Sequence, residues 1–219
     1  MVNRPNLIWR IVPYLALLVL AIVLPHLGIS NYYLHVVIMS LIFAIAVYGL
    51  NLMEGYLGLL SLVQAGFFGI GAYMSALLTL KLGMSFWLAL PLTALATMLV
   101  SVLIGLISFR TRGHYFVIIT LCIGIIINLV IEKWESLTEG VRGLIGIPYP
   151  SNLGPITFNT IEAQYYLVLA FLIMTIFVMK RLVDSLVGRT FRSIRNSEEL
   201  ASTLGINVMA NKLLVVCQR

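Results

Sequence analysis

Charge is what this sequence has least of. Of its 219 residues only 10% are Asp, Glu, Lys or Arg, against about 25% in an ordinary soluble domain. Hydrophobic residues make up 61% and the mean hydropathy is +1.04. That balance excludes a sizeable soluble domain and defines an integral membrane protein. Cysteine is nearly absent too. Cys122 and Cys217 stand far apart and outside any metal or redox spacing, so Cys122, inside an apolar run, reads as a packing residue. His26, His35 and His114 are scattered at the ends of apolar runs without a partnering Cys or acid, and no metal site is expected. The phosphate-binding loop Gly-x-x-x-x-Gly-Lys-Ser/Thr is missing, so the chain does not hydrolyse ATP by that route. No enzymatic constellation is visible and no cofactor is expected. Acids and bases are also missing from the middle of every apolar run. Ion-coupled carriers usually keep one there.

Apolar length is what the sequence has most of. A spanning helix needs about 20 mostly apolar residues. Six stretches qualify: 11–29, 33–53, 57–80, 86–108, 115–131 and 164–182. The first follows Arg4 and Arg10 but ends at Pro25-His-Leu-Gly28 rather than at a small-x-small cleavage site, so it reads as a retained span. With a cytoplasmic N-terminus, the inside holds Arg4, Arg10, Arg110, Arg112, Lys180, Arg181, Arg189, Arg192, Arg195, Lys212 and Arg219, and the outside only Lys81, Lys133 and Arg142. This is a positive-inside pattern, and the net charge of +6 therefore marks topology, not a nucleic-acid patch. The expected fold is an all-α membrane bundle of about six spans over residues 1–182, followed by a cytoplasmic segment, 183–219.

Within this frame the stretch Gly55 to Tyr73 is unusual, because it carries five glycines and a Gln. Each glycine costs a helix roughly 1 kcal/mol relative to Ala, a cost that makes sense where backbones approach closely. Read as one helix, it puts Gly58, Ser61, Ala65, Gly69, Ala72 and Ala76 on a thin face, and Leu60, Val63, Phe67, Ile70, Met74 and Leu77 on a bulky one. Close packing alone explains the pattern. A packed central helix that also borders a solute path, with Ser61 and Gln64 as its polar groups, explains it equally. Asn51, Thr120 and Asn128 are further polar groups in apolar runs. Gln64 and Asn128 are the candidate contacts for a zwitterionic solute.

Two polar segments remain. Residues 132–163 are rich in Gly and Pro and read as an ordered, turn-rich external loop, either a docking surface or a solvated connector. On the cytoplasmic side, Asn196 or Ser197 suits a helix N-cap, Glu198 and Glu199 the first turn, and Gly205 the stop. A short helix over 197–204 follows, preceded by Arg189, Arg192 and Arg195. It carries a small apolar set, Leu200, Ala201 and Leu204, suited to a groove in another protein. The alternative is that the arginines simply hold anionic lipid headgroups.

Three blocks together resemble the LivM-type permease subunits of bacterial ABC importers for branched-chain amino acids. They are Gly55 to Tyr73; Arg112-Gly-His-Tyr-Phe-Val-Ile-Ile-Thr-Leu121 with Trp134 to Gly140 and Gly146-Ile-Pro148; and Gly188 to Asn207, which looks like the family's cytoplasmic coupling loop. The resemblance implies a second permease subunit, two ATPase subunits that use the ATP, and a periplasmic or extracellular solute-binding protein, in the bacterial inner membrane. It implies that Arg195, Glu198, Ala201, Leu204 and Gly205 lie at the ATPase contact. After Ser-Leu the family usually has Gly and then His or Gln; here Val63 and Gln64 stand there, and Val63 is the departure. The end, Lys212 to Arg219, looks like a shortened member, since the family continues into further spans. Three other readings stay open: a urea- or amide-type permease, a stand-alone channel or carrier, and a shortened remnant that inserts without supporting uptake.

Overall fold

The computed structural model describes residues 19–27, 30–109, 111, 113–152, 158–196 and 214. Residues 19–23 are helical and continue into a 3-10 turn at Leu24–Leu27. Seven α-helices follow: α1 Asn31–Asn51, α2 Gln64–Leu80, α3 Phe86–Ser108, α4 His114–Lys133, α5 Glu135–Thr138, α6 Ile161–Asp184 and α7 Leu186–Asn196. No strand occurs among the described residues. Asn31–Leu57, Phe86–Ser108, His114–Lys133 and Ile161–Asp184 are long and apolar enough to cross a membrane, and Gln64–Leu80 is a shorter apolar helix. The chain is thus an all-α, multi-pass membrane protein. Its outward faces fit that medium: Leu99, Leu103 and Ile107 on α3 and Ile118, Ile125 and Ile126 on α4 are exposed, a patch that water would disfavour.

The helix expected over 86–108 coincides with α3, and those over 115–131 and 164–182 gain a few residues at each end. The run 11–29 falls only partly within the described residues. The run 57–80 is not one helix. A π-helical turn, Leu52–Leu57, prolongs α1, and Gly58 ends it in the left-handed conformation at φ 74°. Helix resumes only at Gln64. Gly55 and Gly58 lower the cost of leaving the helix, and left-handed backbone is cheap only for glycine. The predicted thin and bulky faces therefore hold only from Gln64 onward. Upstream of it, Val63 is buried rather than exposed with Leu60.

The long helices form two main pairs. α6 packs along α1, and α2 packs along α3 and, less extensively, α4. The pairs meet sparingly. At one end of the bundle Leu52, Met53, Leu57, Phe109, Phe116, Phe191 and Ile194 share an apolar core, with the Phe109 and Phe116 rings stacked at 5.7 Å. At the other end the Tyr165 hydroxyl donates to the Ala21 carbonyl at 2.6 Å and the Tyr166 hydroxyl to that of Ile22 at 2.9 Å. There Lys81 donates to the carbonyls of Ser136 and Leu137, both at 3.1 Å. The Trp87 indole donates to the Ser151 carbonyl at 2.9 Å. The loop expected to be turn-rich is ordered in this way where it is described. Lys81, Lys133 and Arg142 belong to this end, and Lys180, Arg181, Arg189, Arg192 and Arg195 to the first.

Candidate functional site

The break between α1 and α2 interrupts the helical backbone over residues 58–63, with Ser61 and Val63 buried. Backbone at membrane depth must find partners inside the protein. The Leu59 N–H donates to the Met53 carbonyl at 3.1 Å, and the Leu62 N–H donates to the Thr120 hydroxyl of α4 at 3.3 Å. Thr120 is almost fully buried and passes its own proton to the Val117 carbonyl at 2.9 Å. Gly124, one turn further along α4, lies against this segment: a Cβ there would be in ordinary contact with the Leu62 carbonyl oxygen, at 3.5 Å. Ser61 and Val63 are buried against the same helices.

Where α2 starts, Gln64 reaches back to α1. Its Nε2 donates to the Ala46 carbonyl at 3.3 Å. Its Oε1 is buried and has no hydrogen-bond partner. Gln64 lines a cavity of about 770 Å³ in the cleft where α1, α2, α3 and α6 face one another. The walls include Ile42, Ile45, Phe67, Phe68, Leu90 and Met98, with Thr93, Thr97, Ser101 and Thr175 as polar members. No described lining residue is charged.

On the end of the bundle beyond the break lies α7. Ser185 separates it from α6 in an extended conformation, and accepts the Arg189 N–H. Gly188, Phe191 and Ile194 form its buried face, while Arg189, Arg192 and Arg195 are exposed. The buried face seats on the π turn. Two arginines then clamp that turn: Arg195 donates to the Gly55 carbonyl, and the Arg192 guanidinium lies 5.4 Å from the centre of the Tyr56 ring, a cation–π contact. A Cβ on Gly58 would come within 2.9 Å of Arg195 Cγ.

The residues predicted from sequence are distributed unevenly. Glu198, Ala201, Leu204 and Gly205, with the short helix 197–204, lie outside the described residues. The segment ahead of them, Leu186–Asn196, is itself a helix, and Arg189, Arg192 and Arg195 are on it rather than before it. Its buried side is Gly188, Phe191 and Ile194, with Val187 packed on the same core and the three arginines outward, a strongly one-sided helix that the expectation of a helix only from 197 passed over. Arg195 faces Gly55, and Gly58 lies under Arg195. Ser61 sits with Thr120 at the break. Gln64 lines the large cavity; Ser61, Ala65, Gly69 and Asn128 are not among its lining residues. Gly69 packs on Ile131 of α4, and Asn128 is exposed on α4. Cys122 is likewise exposed on α4, not packed. Thr93 was missed; the only signal was a hydroxyl two residues after Pro91 in an otherwise apolar helix.

Residues 32–217 match the model of the family "branched-chain amino acid transport system / permease component", and the chain belongs to that family. It is similar to the high-affinity branched-chain amino acid transport system permease protein LivM of Salmonella typhimurium, with 31% identity over 91% of this chain and 52% of the relative. The Escherichia coli LivM is 30% identical over 90% of this chain and 52% of its own length. The chain thus spans about half the length of the curated relatives it matches. No solved structure matches it.

Proposed function

We propose that this chain works as the membrane-spanning part of an ABC importer in the bacterial inner membrane, passing branched-chain or related amino acids and driven by partner ATPases. The end bearing α7 is cytoplasmic on this reading, in line with its five basic residues. One observation carries it beyond family membership: α7, next to the predicted ATPase-contacting segment, is clamped onto the break that leads into cavity-lining α2. Discontinuous helices beside a cavity recur at the binding sites of transporters. A push on the segment 197–205 would reach the π turn through Arg195 and Arg192, and α2 through the non-helical link 58–63. Such coupling needs two states that the ATPases distinguish.

A second permease subunit and an external solute-binding protein complete the assembly. The end with Lys81 and the 134–152 loop is the side facing the binding protein. Exposed Val141, Ile145, Ile147 and Tyr149 favour docking there over a purely solvated connector. The test is a pull-down of the membrane-inserted chain with the ATPase subunits of a branched-chain amino acid importer. Wild type should retain them and Leu204→Asp should release them, with insertion unchanged. Failure of the wild type to bind would remove the ABC assignment and leave a channel, a carrier or an inert remnant.

A further inference from the structure

Polar side chains inside the spans are accommodated in one of two ways, and Asn128 in neither. Ser40, Thr97 and Thr175 donate to carbonyls of their own helices, those of Val36, Thr93 and Phe171, at 2.9, 2.9 and 2.8 Å. The Thr93 hydroxyl and Gln64 Oε1 have no partner, but both are shut away from the surrounding medium. Asn128 is exposed on α4, and among the described residues no hydrogen bond holds its amide. The twenty residues of α4 at 1.5 Å each reach about 30 Å, the thickness of the hydrocarbon core. Asn128, five residues before Lys133, stands about 7 Å inside that end, further than its short side chain reaches. Lipid tails offer an amide no partner, and an unpaired one is costly there. Asn51, also exposed, is the last residue of α1 and sits about 30 Å from its start, at the membrane boundary. Asn128 belongs, moreover, to a stripe. With Ile118, Leu121 and Ile125 it recurs at steps of three, four and three, all exposed, on the side of α4 turned away from buried Phe116 and Thr120. From Ile118 to Asn128 the helix carries no charge. The exposed Leu99, Leu103 and Ile107 of α3 are wholly apolar and suit lipid.

We propose that this stripe of α4 is the seat of a second copy of the chain, related by a two-fold axis normal to the membrane, and that the two Asn128 amides hydrogen-bond to each other across it. An amide carries both donors and an acceptor, so it complements itself. Two copies inserted in the same orientation bring Asn128 to the same depth, whereas a helix of another sequence would need its own amide or hydroxyl there. A two-fold contact sets like against like. A charged stripe would oppose that meeting, and this uncharged one does not. In a bilayer, apolar burial gives helices no drive to associate, and hydrogen bonds from residues such as Asn join them instead. The seat requires only the place of α4 in the membrane, and it goes beyond the permease reading, which names no contact face.

The test uses the full chain with Cys122→Ser, labelled at Cys217 with a donor or an acceptor dye and reconstituted in phosphatidylcholine vesicles at falling protein-to-lipid ratios. Energy transfer between copies should exceed the level set by chance encounter in the bilayer. Asn128→Leu should raise the ratio needed for half-maximal transfer about tenfold, as loss of an interhelical amide pair predicts. Asn128→Gln, which keeps the amide, should stay near the unsubstituted chain, and Leu103→Ala on α3 should change nothing. Asn128 and Leu103 are both exposed, so none of these substitutions enters the packed core. With both cysteines replaced by serine, Ile125→Cys should give a disulfide-linked dimer on mild oxidation, and Leu103→Cys should not. Transfer at the chance level, indifference to Asn128→Leu, or cross-linking at position 103 in place of 125 would overturn the proposal. The pull-down keeps the two claims apart. A chain that stays monomeric yet retains the ATPases removes this seat alone, and one that dimerises without retaining them removes the ABC assignment alone.

Discussion

Gly58 and Thr120 are the residues on which the break depends. Gly58 combines a φ of 74° with a neighbour, Arg195 Cγ, that a Cβ would meet at 2.9 Å. Left-handed backbone costs a non-glycine residue about 1–2 kcal/mol, and the arginine must also move. Gly58→Ala should therefore speed hydrogen exchange across 52–63 while leaving α3 protected, as read by mass spectrometry. Protection unchanged at 52–63 would show that the clamp does not hold the turn. Thr120→Val keeps the volume but leaves the part-buried Leu62 N–H without its partner. An unsatisfied buried donor costs about 1–3 kcal/mol, so the unfolding midpoint should fall by that equivalent. Thr120→Ser, which preserves the acceptor, should lose less.

The element that repays attention is α7. Its eleven residues are too few to hold a helix in water without tertiary contacts. It persists because Phe191 and Ile194 fill the end of the bundle among Leu52, Met53, Leu57, Phe109 and Phe116. Phe191 is fully buried. Truncating such a residue costs about 3–5 kcal/mol, more than a helix of this length retains. Phe191→Ala should release α7, and trypsin should then cut at Arg189, Arg192 or Arg195 in the inserted protein. Resistance equal to wild type would place the helix's stability elsewhere. The helix within 57–80 is shorter than its neighbours: seventeen residues at 1.5 Å each reach about 25 Å, short of a hydrocarbon core of about 30 Å, and a non-helical link, 58–63, precedes it.

At the scale of the whole molecule the described basic residues sort to two ends, and the topology predicts which face is which. With Cys122 and Cys217 replaced by serine, a cysteine at Val141 should react with a membrane-impermeant maleimide from outside the cell. One at Thr190 should react only after the membrane is permeabilised. The opposite pattern would invert the proposed orientation, and with it the side on which ATPases bind. The sparse contact between the α1–α6 and α2–α3 pairs is where two states would differ, since a cleft between separately packed units opens at little cost in packing.

The sequence alone determined membrane class, the positions of α3, α4 and α6, and the split of basic residues. Each is a property of composition along the chain: apolar length sets a span, and charges are excluded from its middle. Gln64 stood out as a polar side chain in an apolar run, and the fold puts it on the lining of the cleft. What tertiary structure decided was the rest of the site. The break at 58–63 is held by Thr120 standing opposite it, a hydrogen bond between residues 58 positions apart. The helix α7 is strongly one-sided in sequence, with Phe191 and Ile194 opposite its arginines, but the pocket it fills is built by other segments and only the fold shows it. Thr93 became distinct from Thr97 and Thr175 only when each hydroxyl's partner was known. Periodicity reports which way a residue faces, whereas satisfaction of a hydrogen bond depends on what stands opposite, and only the fold brings those groups together.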